Sequence, residues 1–424
     1  MTCRLGTSNR QLAVAATMLL SLCSTNTHGA IDGLTGSSFA FTAKSGYVSG
    51  GDGLSLYVWG YSGNDGPMQY PGPTLILQEG VEVTVCLKNE LPEPVSIVFP
   101  GQEGVTATGG IRSLLTQEAP PDGTTIVTYT FTPKHPGTYH YHSGSRPDLQ
   151  VEMGLVGAII VRPTGADSDS PRAYAHEDSS YDREYLFLLT EMDLRIHQSV
   201  EIGKACEVDT TKFFPVYWFI NGRNSPDTML MPNVQWLPHQ PYNCMPRMHP
   251  GEKMLLRVIG GGRDTHPFHH HGNHSRIIAR DGRLLESASG QGADLAWDAF
   301  TIKSVPGQTV DAIFEWTGKG LGWDIYGHSP DDPLEPNEYE PDHGKPFPVI
   351  LPNELDLTFG AMYSGSPYLG ALGNLPPGNG GFNLKGGYFY MWHSHNEKEM
   401  VNNNIFPGGM MTMLIIEPPG VAIP

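Results

Sequence analysis

Short apolar runs recur along this chain, many with every second position polar and most closed by Gly, Pro, Asn or Asp. Successive side chains of an extended strand point to opposite faces, so this rhythm predicts half-buried β-strands rather than helices. In the first half the runs are Leu54–Trp59, Thr74–Gln78, Val81–Lys88, Val95–Phe99, Thr124–Phe131, Gly137–His142 and Leu155–Arg162. The second half resumes with Glu184–Thr190, Val216–Ile220, Lys253–Ile259, Ser275–Ala279, Thr309–Trp316, Gly386–Trp392 and Met410–Ile416. This count of short strands predicts an all-β chain of two Greek-key β-sandwich domains. A polar stretch beginning at Pro163 divides the halves, placing the domains at residues 35–163 and 183–424 and a linker at 164–182. The acidic, Pro-rich stretch from Ser329 to Pro348 is expected to be an exposed loop.

Composition adds two constraints. The 51 Gly and 36 Pro suit a turn-rich β-protein, and 424 residues exceed one ordinary domain. At the N-terminus, Arg4 and Arg10 precede an apolar run from Leu12 to Cys23 and a small-residue stretch ending near Gly29. That layout is a secretory signal peptide over residues 1–29, too short in its apolar part to span a bilayer. Its removal takes two arginines and no acid, moving the formal net charge from −18 to −20. Such acidity argues against nucleic acid or an anionic membrane as partner, and is compatible with metal ions. Three cysteines remain. Cys206 and Cys244 are candidates for one disulfide in an oxidising compartment, whereas Cys86, inside an apolar run, is expected to be a packed thiol.

Candidate chemistry is concentrated in two histidine clusters, His266-Pro267-Phe268-His269-His270-His271-Gly272 and Trp392-His393-Ser394-His395. Histidines at i and i+2 leave one face of a strand together, so two such pairs on neighbouring strands would aim four imidazoles at one point. Imidazole suits copper, and copper(II) heads the affinity order among divalent ions; zinc is the alternative. Asn273, Glu397 and Asp264 are near enough in the chain to orient the rings, and His274 is a further candidate ligand.

These motifs resemble the multicopper oxidase family of cupredoxin domains. The resemblance rests on Tyr70-Pro71-Gly72-Pro73-Thr74, Gly80-Val81-Glu82-Val83, Asn89-Glu90-Leu91, Gly137-Thr138-Tyr139-His140-Tyr141-His142-Ser143 and Gly154–Val161 in the first half. In the second half it rests on the His266–Gly272 cluster and on His393-Ser394-His395 with Gly409-Met410 downstream. The resemblance implies that His269, His271, His393 and His395 are ligands of a copper cluster at which dioxygen is reduced. It makes His142 a first-domain ligand, with His140 on the same strand face able to replace a missing one, and makes His266 a ligand of a separate mononuclear copper. It also implies a homotrimer, since two-domain relatives place metal between subunits.

The departures are as informative. Where the family carries a first-domain His-x-His pair, this chain has Ser96-Ile97-Val98-Phe99, and Gly144 stands where His142 would have its partner. The cysteine of the mononuclear copper is Ser394, and the downstream histidine position falls on Glu399. A hydroxyl cannot replace a thiolate in a blue copper site. Three readings follow: a secreted oxidoreductase with a non-blue copper site that takes electrons directly from a small-molecule or metal-ion donor, a copper-sequestering protein without turnover, and a cupredoxin scaffold without metal.

Overall fold

The computed structural model describes residues 31–165, 170–318, 323–324, 328, 331–334, 345–346, 366–367, 387–417 and 421–423. The leader expected at 1–29 and most of the loop expected at 329–348 lie outside them. The described chain forms two cupredoxin-like sandwiches. In the first, a four-stranded sheet runs in the order Leu34–Thr35, Gly72–Gln78, Val156–Arg162, Gly137–His142. Facing it is a six-stranded sheet ordered Met68–Gln69, Ser55–Gly63, Ser38–Ser49, Val83–Asn89, Val127–Phe131, Thr106–Thr108. Non-consecutive neighbours, with the parallel pair Ser38–Ser49 and Val83–Asn89, give the Greek-key crossing.

Alternation sets the core. Val83, Val85 and Leu87 point inward beside Val127, Tyr129 and Phe131, and Trp59 and Tyr61 of the strand Ser55–Gly63 join the same core. The same alternation turns Cys86 outward, where its thiol lies 3.7 Å from Thr128 Oγ1; it is half-buried, not a core thiol. The strand expected at Val95–Phe99 reduces to isolated bridges from Val95 to Ala119 and from Val98 to His142. Between them the Ile97 amide donates to the Tyr129 hydroxyl, so a side chain satisfies backbone that a ladder would otherwise pair. Unexpected from its Ser- and Gly-interrupted pattern is the 12-residue strand Ser38–Ser49.

In the second sandwich one sheet is ordered Tyr217–Ile220, Arg183–Met192, Lys253–Gly260, Thr309–Glu315, Ser275–Arg280, Arg283–Leu284. The other is ordered Arg247–Met248, Met411–Ile416, Tyr388–Ser394, His266–His270, Thr301–Ser304. Phe187, Phe268, Trp316, Tyr390 and Trp392 fill the space between them. The proposed disulfide is absent: Cys206 is exposed, and Cys244 is buried with its thiol donating to the Ile220 carbonyl at 3.0 Å. Burial pushes that thiol up to about 12.

The two sandwiches meet across the Gly137–His142 and Lys253–Gly260 strands. Ile160 and Val156 pack on Leu186, Leu188 and Ile259. Inside this seam Arg257 is fully buried, donating to Glu184 at 2.9 Å and to Thr138 Oγ1 at 2.9 Å. Thr138 and Tyr174 in turn donate to the two oxygens of Asp311, both at 2.5 Å. Arg162 pairs with the same Glu184. Burial alone would raise the Glu184 carboxyl, but Arg162 and Arg257 outweigh it and hold it at about 2.

Breaking a buried ion pair leaves its partner charged and undressed, so Arg257→Ala should cost about 3–5 kcal/mol in urea denaturation at pH 7. Glu184 stabilises the fold fully above its unfolded value of about 4.3, and that contribution is lost as pH falls through 2. Wild-type stability should therefore drop between about pH 4 and pH 2, with a shallower drop in the Arg257 variant.

Candidate metal centre

The strand His266–His270 pairs antiparallel with Tyr388–Ser394, placing His269 directly opposite His393. His271 follows just past the end of its strand. The three rings converge, and one ligand atom from each of His269, His271 and His393 lies within 4.8 Å of the others. His271 Nε2 is 3.2 Å from His393 Nε2. Two nitrogens held by one ion at about 2.0–2.1 Å with tetrahedral angles would be about 3.3 Å apart, so this spacing suits a shared ion.

Second contacts set the rings. His393 Nδ1 donates to the Ser394 carbonyl at 2.7 Å, which leaves its Nε2 with a lone pair. His269 Nδ1 is 2.9 Å from Thr301 Oγ1, leaving Nε2 as its remaining ring nitrogen. Trp392 Nε1 holds the His271 carbonyl at 3.0 Å. Burial, reinforced by the neighbouring imidazoles, lowers His269 and His271 to about 4, and burial also lowers His393. All three are neutral at pH 7, the form that binds metal. A neutral, nitrogen-only donor set on one face fits copper or zinc.

The remaining sequence candidates are placed differently. His395 is half exposed with its ring centroid 4.9 Å from that of His269, and its Nδ1 is 3.2 Å from Glu397. Glu397 is thus the one expected orienting residue that reaches an imidazole. Asn273 donates instead to the Glu315 carbonyl, and Asp264 gives only its amide to Glu191. His274 packs on Phe300 at the edge of a 420 Å³ polar cleft, outside the group of three. His140 and His142 stack with centroids 5.4 Å apart in a 250 Å³ pocket lined also by Gly260, Gly261, Gly262 and Arg263. Burial lowers His140 to about 3. Among the described residues this pair does not join the second-domain cluster. Where a first-domain ligand pair was missing, Ser145 links Ser96 and Glu118 by hydrogen bonds of 3.0 and 2.6 Å, a hydroxyl network without a soft or imidazole donor.

His266 takes part in a different structure. Its Nε2 is 2.8 Å from Glu191 Oε2 and its Nδ1 is 2.8 Å from Glu399 Oε2, with all three side chains almost completely buried. Ser394 Oγ donates to Glu399 Oε2 at 2.6 Å. Burial opposes a charge on His266, yet the two carboxylates outweigh it and raise the imidazole to about 9. Both ring nitrogens are committed, and the residue between the metal histidines offers a hydroxyl. These groups do not fit a thiolate-bound copper. Glu191 was missed from the sequence, although a carboxylate inside the apolar run Leu186–Met192 is itself a signal, since a buried acid requires a partner.

Residues 45–166 match the family model described as multicopper oxidase. Over that stretch the first sandwich is similar to a multicopper oxidase domain. It is 37% identical to copper resistance protein A of Escherichia coli over 121 residues, which is 28% of this chain and 18% of that protein. It is 29% identical to laccase-1 of Emericella nidulans over 181 residues, 40% of this chain and 28% of that one. The chain thus spans less than a third of the length of these relatives. The solved structure of the multicopper oxidase mgLAC aligns with a TM-score of 0.55 at 18% identity, covering 92% of this chain and 88% of that one. A blue copper oxidase from Nitrosomonas europaea aligns at 0.53 and 18%, over 90% and 85%. At such identity these structures speak to the fold. The family match lies in the half poor in metal ligands, whereas the converging histidines lie outside it.

The cation between two buried carboxylates yields a prediction. His266 stabilises the fold fully below its unfolded value of about 6.5, and the contribution is lost as pH rises through about 9. Unfolding free energy should therefore fall by up to about 3 kcal/mol between pH 6 and pH 9.5. His266→Phe should be destabilised at pH 6 by about 3–5 kcal/mol in the same measurement, because it leaves two buried carboxylates facing each other.

Proposed function

We propose that this chain is a secreted copper-binding oxidoreductase whose single-domain cluster of His269, His271 and His393, with His395 at its rim, holds a non-blue copper. The observation carrying the reading is the convergence of three neutral imidazoles with two Nε2 atoms 3.2 Å apart. Copper bound there would supply one-electron redox chemistry and a place for dioxygen. The protein's part is to hold the rings neutral, to fix the His393 tautomer through the Ser394 carbonyl and the His269 ring direction through Thr301, and to leave His395 and Phe300 at a solvent-facing rim where a donor can approach. With Ser394 in place of a thiolate, electrons have no covalent relay from a second copper, so a phenolic, ferrous or manganous donor must reach the imidazole face itself. The reading includes a homotrimer in which His140 and His142 of a neighbouring subunit face this cluster, because within one chain they stand apart from it.

A second reading, copper sequestration without turnover, is favoured by the similarity to copper resistance protein A. Zinc in place of copper is the alternative for the ion.

Purified protein loaded with copper should show a weak d–d spectrum and a type 2 electron paramagnetic resonance signal without an intense blue band. Replacing His393 and His395 together by Ala should remove most tight binding, at least tenfold in affinity, since each lost imidazole removes a direct bond to the ion. Oxygen uptake with a phenolic, ferrous or manganous donor separates oxidase from sequestering protein. An intense blue band, or full copper retention by the double variant, would overturn the site assignment. Light scattering that gives a monomer at micromolar concentration would remove the trimer.

A further inference from the structure

Ser394 is the residue through which the two faces of one strand communicate. Its carbonyl accepts from His393 Nδ1 on the metal face. Its hydroxyl, on the opposite face, donates to Glu399 Oε2 at 2.6 Å. The same carboxylate oxygen accepts from His266 Nδ1 at 2.8 Å, and Glu399 Oε1 accepts from Asn396 Nδ2 at 2.8 Å. His266 is held from its other side by Glu191 Oε2 at 2.8 Å, and Glu191 Oε1 is fixed by the amides of Arg263 and Asp264. Glu191, His266, Ser394 and Glu399 are each 2% exposed or less.

The location gives this network its consequence. The strand Tyr388–Ser394 ends at Ser394; His395 still gives its amide to the Pro267 carbonyl, and the chain then turns at Glu397–Glu399. Strand ends open locally at little cost unless something ties them. Here the last backbone bonds run from Ser394 N to the Met410 carbonyl at 2.9 Å and from His395 N to the Pro267 carbonyl at 2.8 Å, so the peptide that carries the Ser394 carbonyl lies at the very edge of the ladder, where imidazole aim matters most. If the 394 peptide rotated, its carbonyl would release His393 Nδ1, and Nε2 would no longer be the fixed lone pair. Metal-ligating imidazoles depend on such outer contacts for tautomer and direction.

We propose that Glu399, clamped by His266 and Glu191, is a positioning residue for His393 and His395: it ties the end of their strand from behind and thereby sets the tautomer and direction of the ligating rings. The inference rests on the reading that these rings take copper, but its geometry is a property of the metal-free protein. The buried triad thus occupies the opposite face of the ligand strand as a fixed support, in place of a redox partner.

The test compares wild type with Glu399→Gln, Glu399→Leu and Ser394→Ala. Gln keeps an oxygen toward Ser394 and His266, and the Asn396 amide can flip to meet the new NH₂ group. Leu fills the space and removes every acceptor. Two readouts are taken on each protein. Long-range ¹H–¹⁵N NMR of the metal-free protein reports the imidazole tautomers, and copper(II) competition titration with electron paramagnetic resonance reports affinity and hyperfine splitting. Wild type should show His393 as a single Nδ1–H tautomer, and Glu399→Gln should retain it with affinity within about threefold. Glu399→Leu should show both tautomers, about 10- to 100-fold weaker copper binding and a changed hyperfine splitting. Ser394→Ala, which deletes only the hydroxyl link, should keep the copper stoichiometry at saturation and shift both readouts in the same direction by a smaller amount. A folded Glu399→Leu variant with the wild-type tautomer and affinity within threefold overturns the proposal. If that variant does not fold, an unchanged tautomer and affinity in Ser394→Ala overturns it instead. A tautomer change in protein that binds no copper at all would sustain the positioning role and overturn the copper reading.

Discussion

The antiparallel register between His266–His270 and Tyr388–Ser394 governs everything distinctive about this molecule. Pairing His269 with His393 puts two imidazoles side by side on one face, and pairing Phe268 with Ser394 sends the next residues into the other. Strand side chains have a period of two, so a slip of one residue would exchange the faces. It would turn the His269 and His393 rings into the core and expose Phe268, which packs there with Phe187 and Trp392. The aromatic core therefore specifies the register, and the register builds the site. The histidine cluster and the core packing are two results of a single pairing.

Charge is handled in the same economical way. Three buried carboxylates on strands of the second domain, Glu184, Glu191 and Asp311, each find a partner. For Glu184 and Asp311 the partner is Arg257, supported by Arg162, Thr138 and Tyr174 from outside the sheet, so the domain seam exists where charge must be neutralised. For Glu191 it is His266, shared with Glu399. Buried pairs such as these add little net stability compared with apolar packing of the same volume, but they are costly to mismatch. Their value lies in fixing which groups face each other: one sandwich against the other at Arg257, and the last strands of the second sandwich at His266.

Much of this was legible in the sequence. The expected runs Gly137–His142 and Lys253–Ile259 stand as strands to within a residue, and the alternating runs Val81–Lys88 and Thr124–Phe131 stand with starts two or three residues later. The i, i+2 spacing led to the expectation that two histidine pairs on neighbouring strands would face one point, with Ser394 turned to the opposite face, and His269 stands opposite His393 while Ser394 is buried on the other side. What could not be read was set by contacts distant in the chain. Thr301 reaches His269 only because its strand lies next to that of His266–His270. Cys206 and Cys244 could be paired on composition, yet one lies in an exposed turn and the other in a buried pocket. Val95–Phe99 had the apolar content of a strand, but Tyr129 satisfies the Ile97 amide and no ladder forms.

The same distinction explains how this chain can depart locally from the family it resembles without losing the fold. A ligand substitution is tolerated when the new residue still finds a partner. Ser394 and Glu399 stand at positions where the family carries cysteine and histidine, and neither is left unsatisfied: the hydroxyl donates to the carboxylate, and the carboxylate closes on His266. In the first domain Ser96 and Ser145 close on each other and on Glu118 in the same way. Each of these sites is a connected hydrogen-bond network, which is what buried polar groups require where no metal ligand stands. The three imidazoles of His269, His271 and His393 are the exception. They meet each other, rather than a carboxylate or hydroxyl, across the space between them. One neutral imidazole can donate to another, as the 3.2 Å contact between His271 and His393 allows, and the same rings can turn lone pairs toward a cation, so this is the one altered region whose donors are arranged around each other.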